Sequence, residues 1–98
     1  MFQVLDDADR ARADVDDLPD VAERLELYRQ MLRVRRLDER MVALQRQGEI
    51  VFYGFVFGQE AVLVVVARAL DLGDWIFPAL REGSVMLVRG YSLVDYLV

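Results

Sequence analysis

The chain has 98 residues, enough for one small domain or for part of a larger one. It contains neither Cys nor His, which excludes disulfides, thiolate chemistry and imidazole ligands for transition metals. Hydrophobic residues make up 55% of the chain, and a small domain cannot bury all of them. We therefore expect apolar faces that contact a partner subunit or further parts of the fold.

Three more residue types, Lys, Asn and Thr, are absent, so every basic residue is Arg. Lys is ordinarily among the commonest residues, and the joint loss of five residue types is unusual. GC-rich coding explains the use of Arg for Lys but does not readily explain the missing Thr. The composition leaves open the hypothesis of a designed or degenerate sequence.

The acidity of the chain is concentrated at its start. Residues 1–20 hold seven Asp against two Arg, which equals the net charge of −5, and the remaining acids and arginines balance. We predict an acidic, flexible arm over residues 1–19, and no nucleic-acid binding, because acid repels phosphate. The start lacks the basic and apolar regions of a signal peptide and is too acidic for a transit peptide, so we predict a cytoplasmic protein.

A long amphipathic helix follows the arm. Pro19 and Asp20 are typical of a helix start, apolar residues recur every three or four positions between Val21 and Leu44, and Gly48 is typical of a helix end. The pattern predicts a helix of about seven turns. Its polar positions carry four arginines that we expect on a solvated or partner-facing side: Arg33, Arg35, Arg36 and Arg40.

The middle of the chain is almost entirely apolar. Residues 50–57 favour an extended conformation, and Gly54 within them indicates a turn or bulge. A membrane span is not expected, because Glu60 interrupts the segment and each apolar run is shorter than the roughly 18 residues a span needs. From Gln59 to Leu70 the valines suit a strand, but the residues at both ends favour a helix.

The last third alternates turns with short elements. Asp71-Leu72-Gly73-Asp74 predicts a turn, and Trp75-Ile76-Phe77 predicts a short buried strand whose aromatic rings lie in the core. Residues 84–89 predict one or two helical turns that end at Gly90. Ser92-Leu93-Val94-Asp95 has the spacing of a capping box and predicts the start of another helix.

A series of short motifs carries a resemblance to a known family. In order, they are Tyr28-Arg29-Gln30-Met31, Arg35-Arg36-Leu37-Asp38-Glu39-Arg40, Gln45-Arg46-Gln47-Gly48, Phe52-Tyr53-Gly54, Gly58-Gln59-Glu60-Ala61, Ala67-Arg68-Ala69-Leu70, Gly73-Asp74-Trp75, Phe77-Pro78, Arg81-Glu82 and Arg89-Gly90. This series resembles the N-terminal part of the α subunit of thiamine-diphosphate-dependent 2-oxo-acid dehydrogenases (E1), closest in character to bacterial pyruvate and branched-chain enzymes. The resemblance runs from about Leu25 to the C-terminus.

The resemblance implies a mostly α fragment that forms the N-terminal portion of an α/β thiamine-diphosphate-binding fold. Residues 20–98 would be the incomplete N-terminal part of the E1 α-subunit domain. In that family the complete protein decarboxylates a 2-oxo acid with thiamine diphosphate and magnesium, and transfers the acyl group to a lipoyl carrier. The implied partners are an E1 β subunit and a lipoyl acyltransferase.

Two positions match residues that the family uses at its cofactor site. Arg81 resembles an arginine that binds the diphosphate, and its alternative is an exposed ion pair with Glu82 or Asp74. Phe52 resembles an aromatic that lines the substrate channel, and its alternative is an ordinary core or interface aromatic. Gln59 and Glu60 are interpreted as structural residues whose side chains fix the preceding loop.

Departures from the family pattern are concentrated near these positions. Phe55-Val56-Phe57 replaces a Pro and a Ser or Thr, Val65 stands where the family has Gly, and Leu80 stands where many members have a cofactor-contacting Tyr. The family's magnesium-binding Gly-Asp-Gly segment and its active-site histidines are not in this chain. We therefore expect no catalytic residue, no metal site, no cofactor bound by this chain alone and no activity in isolation. The alternatives are a non-catalytic helical assembly domain that forms a homo-oligomer, or a designed or degenerate copy.

Overall fold

The computed structural model describes residues 5, 7–10 and 18–97. In chain order these contain α1 (Val21–Arg46), α2 (Glu60–Ala69), a 3₁₀ turn (Glu82–Ser84) that runs into α3 (Val85–Val88), and α4 (Leu93–Leu97). The described ranges contain no β-strand, so the predicted mostly α class is confirmed. The predicted flexible arm falls largely on residues outside the described ranges.

Helix α1 begins and ends where the sequence indicates. The Asp20 side chain accepts a hydrogen bond from the Glu23 N–H at 2.8 Å, which satisfies one of the unpaired donors of the first turn. At the other end Gly48 has φ +78°, a left-handed conformation that stops the helix. With 26 residues, α1 has the predicted seven turns.

Helix α2 lies between α1 and α3 and supplies the centre of the core. Leu63, Val64 and Ala67 are buried because they share one helical face, whereas Val62 and Val65 on the opposite side are exposed. The prediction of a helix here, against the β preference of Val, is confirmed. The core cluster consists of Val34, Val56, Leu63, Val64, Ala67 and Val85.

The segment between α1 and α2 is irregular and belongs to no sheet. Only Val56 within residues 51–57 is buried, where it joins the core. Gly54 does not mark a bulge. It allows a close approach of two segments, because a Cβ at this position would lie 3.1 Å from the Leu80 carbonyl oxygen.

The prediction of a buried strand at Trp75-Ile76-Phe77 is wrong. Trp75 and Phe77 are each 88% exposed, and their stacked rings lie 6.4 Å apart between centroids. Only Ile76 packs against the core. No neighbouring strand in the described ranges pairs with this segment, so it does not form a strand despite its strand propensity.

The C-terminal elements follow the predicted signals. The Asp74 N–H donates to the Asp71 carbonyl at 3.0 Å and closes the predicted turn. Gly90, with φ +93°, ends α3. The Asp95 N–H donates to Ser92 Oγ at 3.0 Å, as predicted for the first bond of a capping box, and the Ser92 hydroxyl donates to Asp95 Oδ2. None of the helices described is long and apolar enough to cross a membrane.

Candidate functional site

The two site residues taken from the resemblance line the same cavity. We call this cavity, of about 170 Å³, the Arg81 cavity. Phe52 reaches it from the segment between α1 and α2, and Arg81 reaches it from the turn that precedes α3. The residues that line it are Phe52, Tyr53, Gly54, Val56, Leu80, Arg81, Ser84 and Tyr96.

Arg81 is held in place by an aromatic ring and not by a carboxylate. Its guanidinium carbon lies 5.1 Å from the centroid of the Phe55 ring, a cation–π contact. The alternative of an ion pair with Glu82 or Asp74 is not found, and Arg81 has no ion pair within the described part of the chain. Its charge is therefore available to an anion.

Phe52 is 64% exposed, so it is not a core residue. Its ring forms part of the cavity rim and is open to solvent or to another protein surface. The alternative of a core aromatic is wrong, whereas the substrate-channel role and the interface alternative stay predictions.

A fully buried carboxylate lies beside the cavity. Asp38 is 0% exposed, and its two oxygens accept the Val56 N–H at 3.1 and 3.0 Å. The Tyr53 hydroxyl donates to the same carboxylate, and the pKa of Tyr53 is raised by burial, by this hydrogen bond and by the negative charge. The pKa of Tyr96 is raised by burial and by the charge of Asp38. Asp38 thus fixes the segment that carries Phe52.

Sequence reasoning did not identify Asp38, although a signal was present. It lies four residues after the buried Val34, on the same face of α1 and next to the buried Leu37. An acidic residue in register with an apolar stripe needs hydrogen-bond donors from elsewhere in the fold. The sequence could not show that these come from Val56 and Tyr53.

A second polar cluster fixes the loop before α2. Arg35 Nε donates to Glu60 Oε1 at 2.5 Å, and Glu60 Oε2 accepts the Gly58 N–H at 3.0 Å. Gly58 has φ +85°, a conformation that favours glycine. The structural role predicted for Glu60 is confirmed. Gln59 is the N-cap residue of α2 but makes no side-chain capping bond, so a loop-fixing role of its side chain stays a prediction.

Arg35 also departs from the role predicted for the arginines of α1. Its side chain is 43% exposed, but it pairs with Glu60, and its guanidinium carbon lies 5.2 Å from the ring centroid of Phe57 in the loop before α2. Arg33, Arg36 and Arg40 remain exposed, as predicted.

We expect the Glu60 cluster to make stability pH-dependent. The hydrogen bond from Arg35 lowers the pKa of Glu60 below its ordinary value of 4.5. Because the carboxylate is favoured in the folded state, its stabilisation is complete above about pH 5 and is lost as pH falls through the lowered pKa. Glu60→Gln should therefore lower the urea midpoint at pH 7, with a difference from wild type that shrinks toward pH 3.

Urea unfolding followed by circular dichroism between pH 3 and 8 measures this difference. Glu49→Gln, at an exposed position, is the control and should follow the wild-type profile. A constant difference between wild type and Glu60→Gln at all pH values would contradict the assignment.

The described residues offer donors for an anion but no evident metal cluster. Within the described ranges, no group of three or more Asp and Glu side chains is placed to hold a metal ion. Arg81 and Ser84 are the residues of the cavity that could hold an anionic group.

Comparisons with known proteins identify the family that the chain resembles. The family model described as "Dehydrogenase E1 component" matches residues 28–98. The chain is 49% identical over 74 residues to a 3-methyl-2-oxobutanoate dehydrogenase subunit alpha of Mycobacterium tuberculosis, covering 76% of this chain and 20% of the relative. It is 37% identical over 97 residues to 2-oxoisovalerate dehydrogenase subunit alpha 1, mitochondrial, of Arabidopsis thaliana, covering 97% of this chain and 20% of the relative.

A third relative is the pyruvate dehydrogenase E1 component subunit alpha of Staphylococcus epidermidis, 35% identical over 97 residues, with 97% of this chain and 26% of the relative covered. The chain thus spans about a fifth to a quarter of the length of these relatives. No solved structure matches it. The chain belongs to the dehydrogenase E1 component family, and it corresponds to the N-terminal part of the α subunits of 2-oxo-acid dehydrogenases.

Proposed function

We propose that the chain acts as the N-terminal part of a thiamine-diphosphate-dependent 2-oxo-acid dehydrogenase α subunit, where it forms one wall of the cofactor site. One observation carries this proposal. Phe52 and Arg81, far apart in sequence, line a single cavity, and Arg81 has no ion pair in the described part of the chain.

The cavity fits the diphosphate end of the cofactor. A guanidinium offers two parallel donors to phosphate oxygens, and Arg81 is free to use them. The volume of about 170 Å³ is below the roughly 300 Å³ at which small-molecule pockets usually begin. We therefore assign the diphosphate to this chain and the thiamine rings to other parts of the enzyme. When bound, thiamine diphosphate supplies the electron sink for decarboxylation.

The proposed substrate is a branched-chain 2-oxo acid. Two of the relatives described above are named for 3-methyl-2-oxobutanoate and 2-oxoisovalerate, and the third is named for pyruvate. Phe52, with its exposed ring at the cavity rim, is the residue of this chain that we propose to contact the substrate channel.

The proposed partners are an E1 β subunit and a lipoyl acyltransferase. The many large apolar side chains that are exposed support the proposal that other protein surfaces cover this chain, since isolated domains rarely expose so many together. They include Val62, Val65, Trp75, Phe77 and Leu80. The cytoplasmic location stays a prediction.

The same exposed residues favour one second candidate, a helical assembly domain that covers them by self-association. Size-exclusion chromatography with light scattering separates this candidate from the first. A homo-oligomer in the absence of any β subunit would support it, whereas a soluble monomer would count against it.

Arg81→Ala is expected to weaken cofactor binding about 10- to 150-fold, because hydrogen bonds to charged groups contribute roughly 1.5–3 kcal/mol. The measurement uses a chimera in which this chain replaces the matching part of the Mycobacterium tuberculosis α subunit, expressed with that enzyme's β subunit. Isothermal titration with thiamine diphosphate and Mg²⁺ gives the Kd. Arg81→Lys should recover part of the affinity as a point charge. Arg46→Ala, at the exposed end of α1, is the matched control, and equal Kd values for Arg81→Ala and Arg46→Ala would reject the role of Arg81.

A further inference from the structure

The turn that carries Arg81 separates two cavities of different character. In a 3₁₀ turn, residues three apart lie directly above one another on the same side. Arg81 and Ser84 are such a pair, and both line the Arg81 cavity. Glu82 and Val85 form the next pair, and both line an apolar cavity of about 270 Å³ on the other side. The turn therefore places Arg81 and Ser84 along the same cavity.

Ser84 is a buried hydroxyl without a partner. The residue is 3% exposed, and its Oγ has no hydrogen-bond partner within the described part of the chain. Burying a hydroxyl without a hydrogen bond is unfavourable, so such groups in native proteins usually have a partner. Ser84 is one of the residues that line the Arg81 cavity, so a ligand in that cavity is a candidate for the missing partner.

The side chains around Ser84 do not supply this partner. Phe52, Val56 and Leu80 carry no polar side-chain atom. The hydroxyl of Tyr53 donates to Asp38. The Tyr96 ring packs on the turn itself, since a Cβ added to Gly83 would lie 2.7 Å from its hydroxyl oxygen. Among the side chains that line the cavity, Ser84 carries the buried polar atom without a partner and Arg81 carries the positive charge.

We propose that Ser84 is a second binding residue of the Arg81 cavity and donates a hydrogen bond to a phosphate oxygen of a diphosphate group. This inference rests on the proposed function and adds to it a residue that neither the motifs nor the resemblance indicated. A hydroxyl that rotates freely can donate a hydrogen bond to an oxyanion. A hydrogen bond to a charged acceptor is stronger than a hydrogen bond to water.

The charges around the cavity define where the diphosphate lies. The negative charge of Asp38 acts on Tyr96, which borders the same space, so an anion is disfavoured at that side. Arg81 offers the positive charge, and Ser84 stands directly next to it along the turn. The diphosphate is thus confined to the side formed by Arg81 and Ser84.

Isothermal titration calorimetry of the full chain with inorganic pyrophosphate tests the proposal. Wild type should bind, and Ser84→Ala should weaken binding about five- to tenfold. Because the alanine removes a hydroxyl that has no partner in the unliganded chain, the thermal midpoint of Ser84→Ala should be equal to or above that of wild type. Gln47→Ala, at an exposed polar position after α1 and outside the cavity, is the control and should bind pyrophosphate as wild type does.

The outcomes separate this inference from the proposed function. If Arg81→Ala weakens binding and Ser84→Ala does not, the role of Ser84 is overturned and the proposed diphosphate site stands. If the wild-type chain does not bind pyrophosphate, the inference for Ser84 is overturned, whereas the proposed function is decided separately by the chimera with the parent α subunit. A lower thermal midpoint for Ser84→Ala together with unchanged binding would assign Ser84 a structural role and also overturn the inference.

Discussion

Replacing Asp38 by Ala is expected to lower the free energy of unfolding by about 3 kcal/mol. The substitution leaves the N–H of Val56, a residue that is 2% exposed, without an acceptor, at a cost of about 1–3 kcal/mol. The Tyr53 hydroxyl loses its acceptor as well, and the removed atoms leave a void. The alanine variant no longer buries a charge, and this gain offsets part of the loss. The cost of the two unpaired buried donors is larger, because the Asp38 carboxylate is hydrogen-bonded to both of them in the wild-type protein.

Chemical unfolding of matched variants measures the contribution of Asp38. Asp38→Asn retains one oxygen that can accept the Val56 N–H, so its loss should be smaller, about 1 kcal/mol. Glu39→Ala, at the adjacent exposed position on α1, should stay within about 0.5 kcal/mol of wild type. A loss for Asp38→Ala no larger than that for Glu39→Ala would show that the carboxylate does not support the segment of residues 52–56.

Val64→Ala is expected to lower the free energy of unfolding by about 2–3 kcal/mol. Val64 is 0% exposed at the centre of the core cluster, and the substitution removes two buried methyl groups, each contributing about 0.8 kcal/mol, and opens a cavity. Helix α2 is otherwise rich in Val, so the same substitution can be placed at an exposed site of the same helix.

Val62→Ala is that matched control. Val62 is 64% exposed, and Ala has the higher helix propensity, so this variant should be as stable as wild type or slightly more stable. Thermal and urea unfolding of the two variants compare the same substitution at a buried position and at an exposed position. Equal destabilisation by both substitutions would contradict the orientation of α2, because it would mean that Val62 is buried in the folded protein.

The elements with local signals were predictable from sequence. The start and end of α1 depend on Asp20 and Gly48, and the capping box of α4 depends on Ser92 and Asp95. In each case the stabilising contact joins residues within one turn of each other. The helical identity of α2 was also predictable, since its terminal residues outweigh the β preference of its valines.

The parts that depend on distant contacts were not predictable in the same way. Trp75 and Phe77 have strand propensity, but a strand needs a paired neighbour, and the described residues supply none. The structural role of Asp38 depends on Val56 and Tyr53, whose donors its carboxylate accepts. The joint position of Phe52 and Arg81 in one cavity depends on the close approach of Gly54 to Leu80, which no local pattern indicates.

The central claim is that this chain can serve as the N-terminal part of an E1 α subunit. The most direct test is the rate of 3-methyl-2-oxobutanoate decarboxylation by the chimera of this chain with the Mycobacterium tuberculosis α subunit, assembled with its β subunit and supplied with thiamine diphosphate and Mg²⁺. The account predicts decarboxylation that exceeds the background without enzyme and that falls on Arg81→Ala. A chimera that folds and assembles with the β subunit, yet remains inactive while the parent enzyme is active, would contradict it.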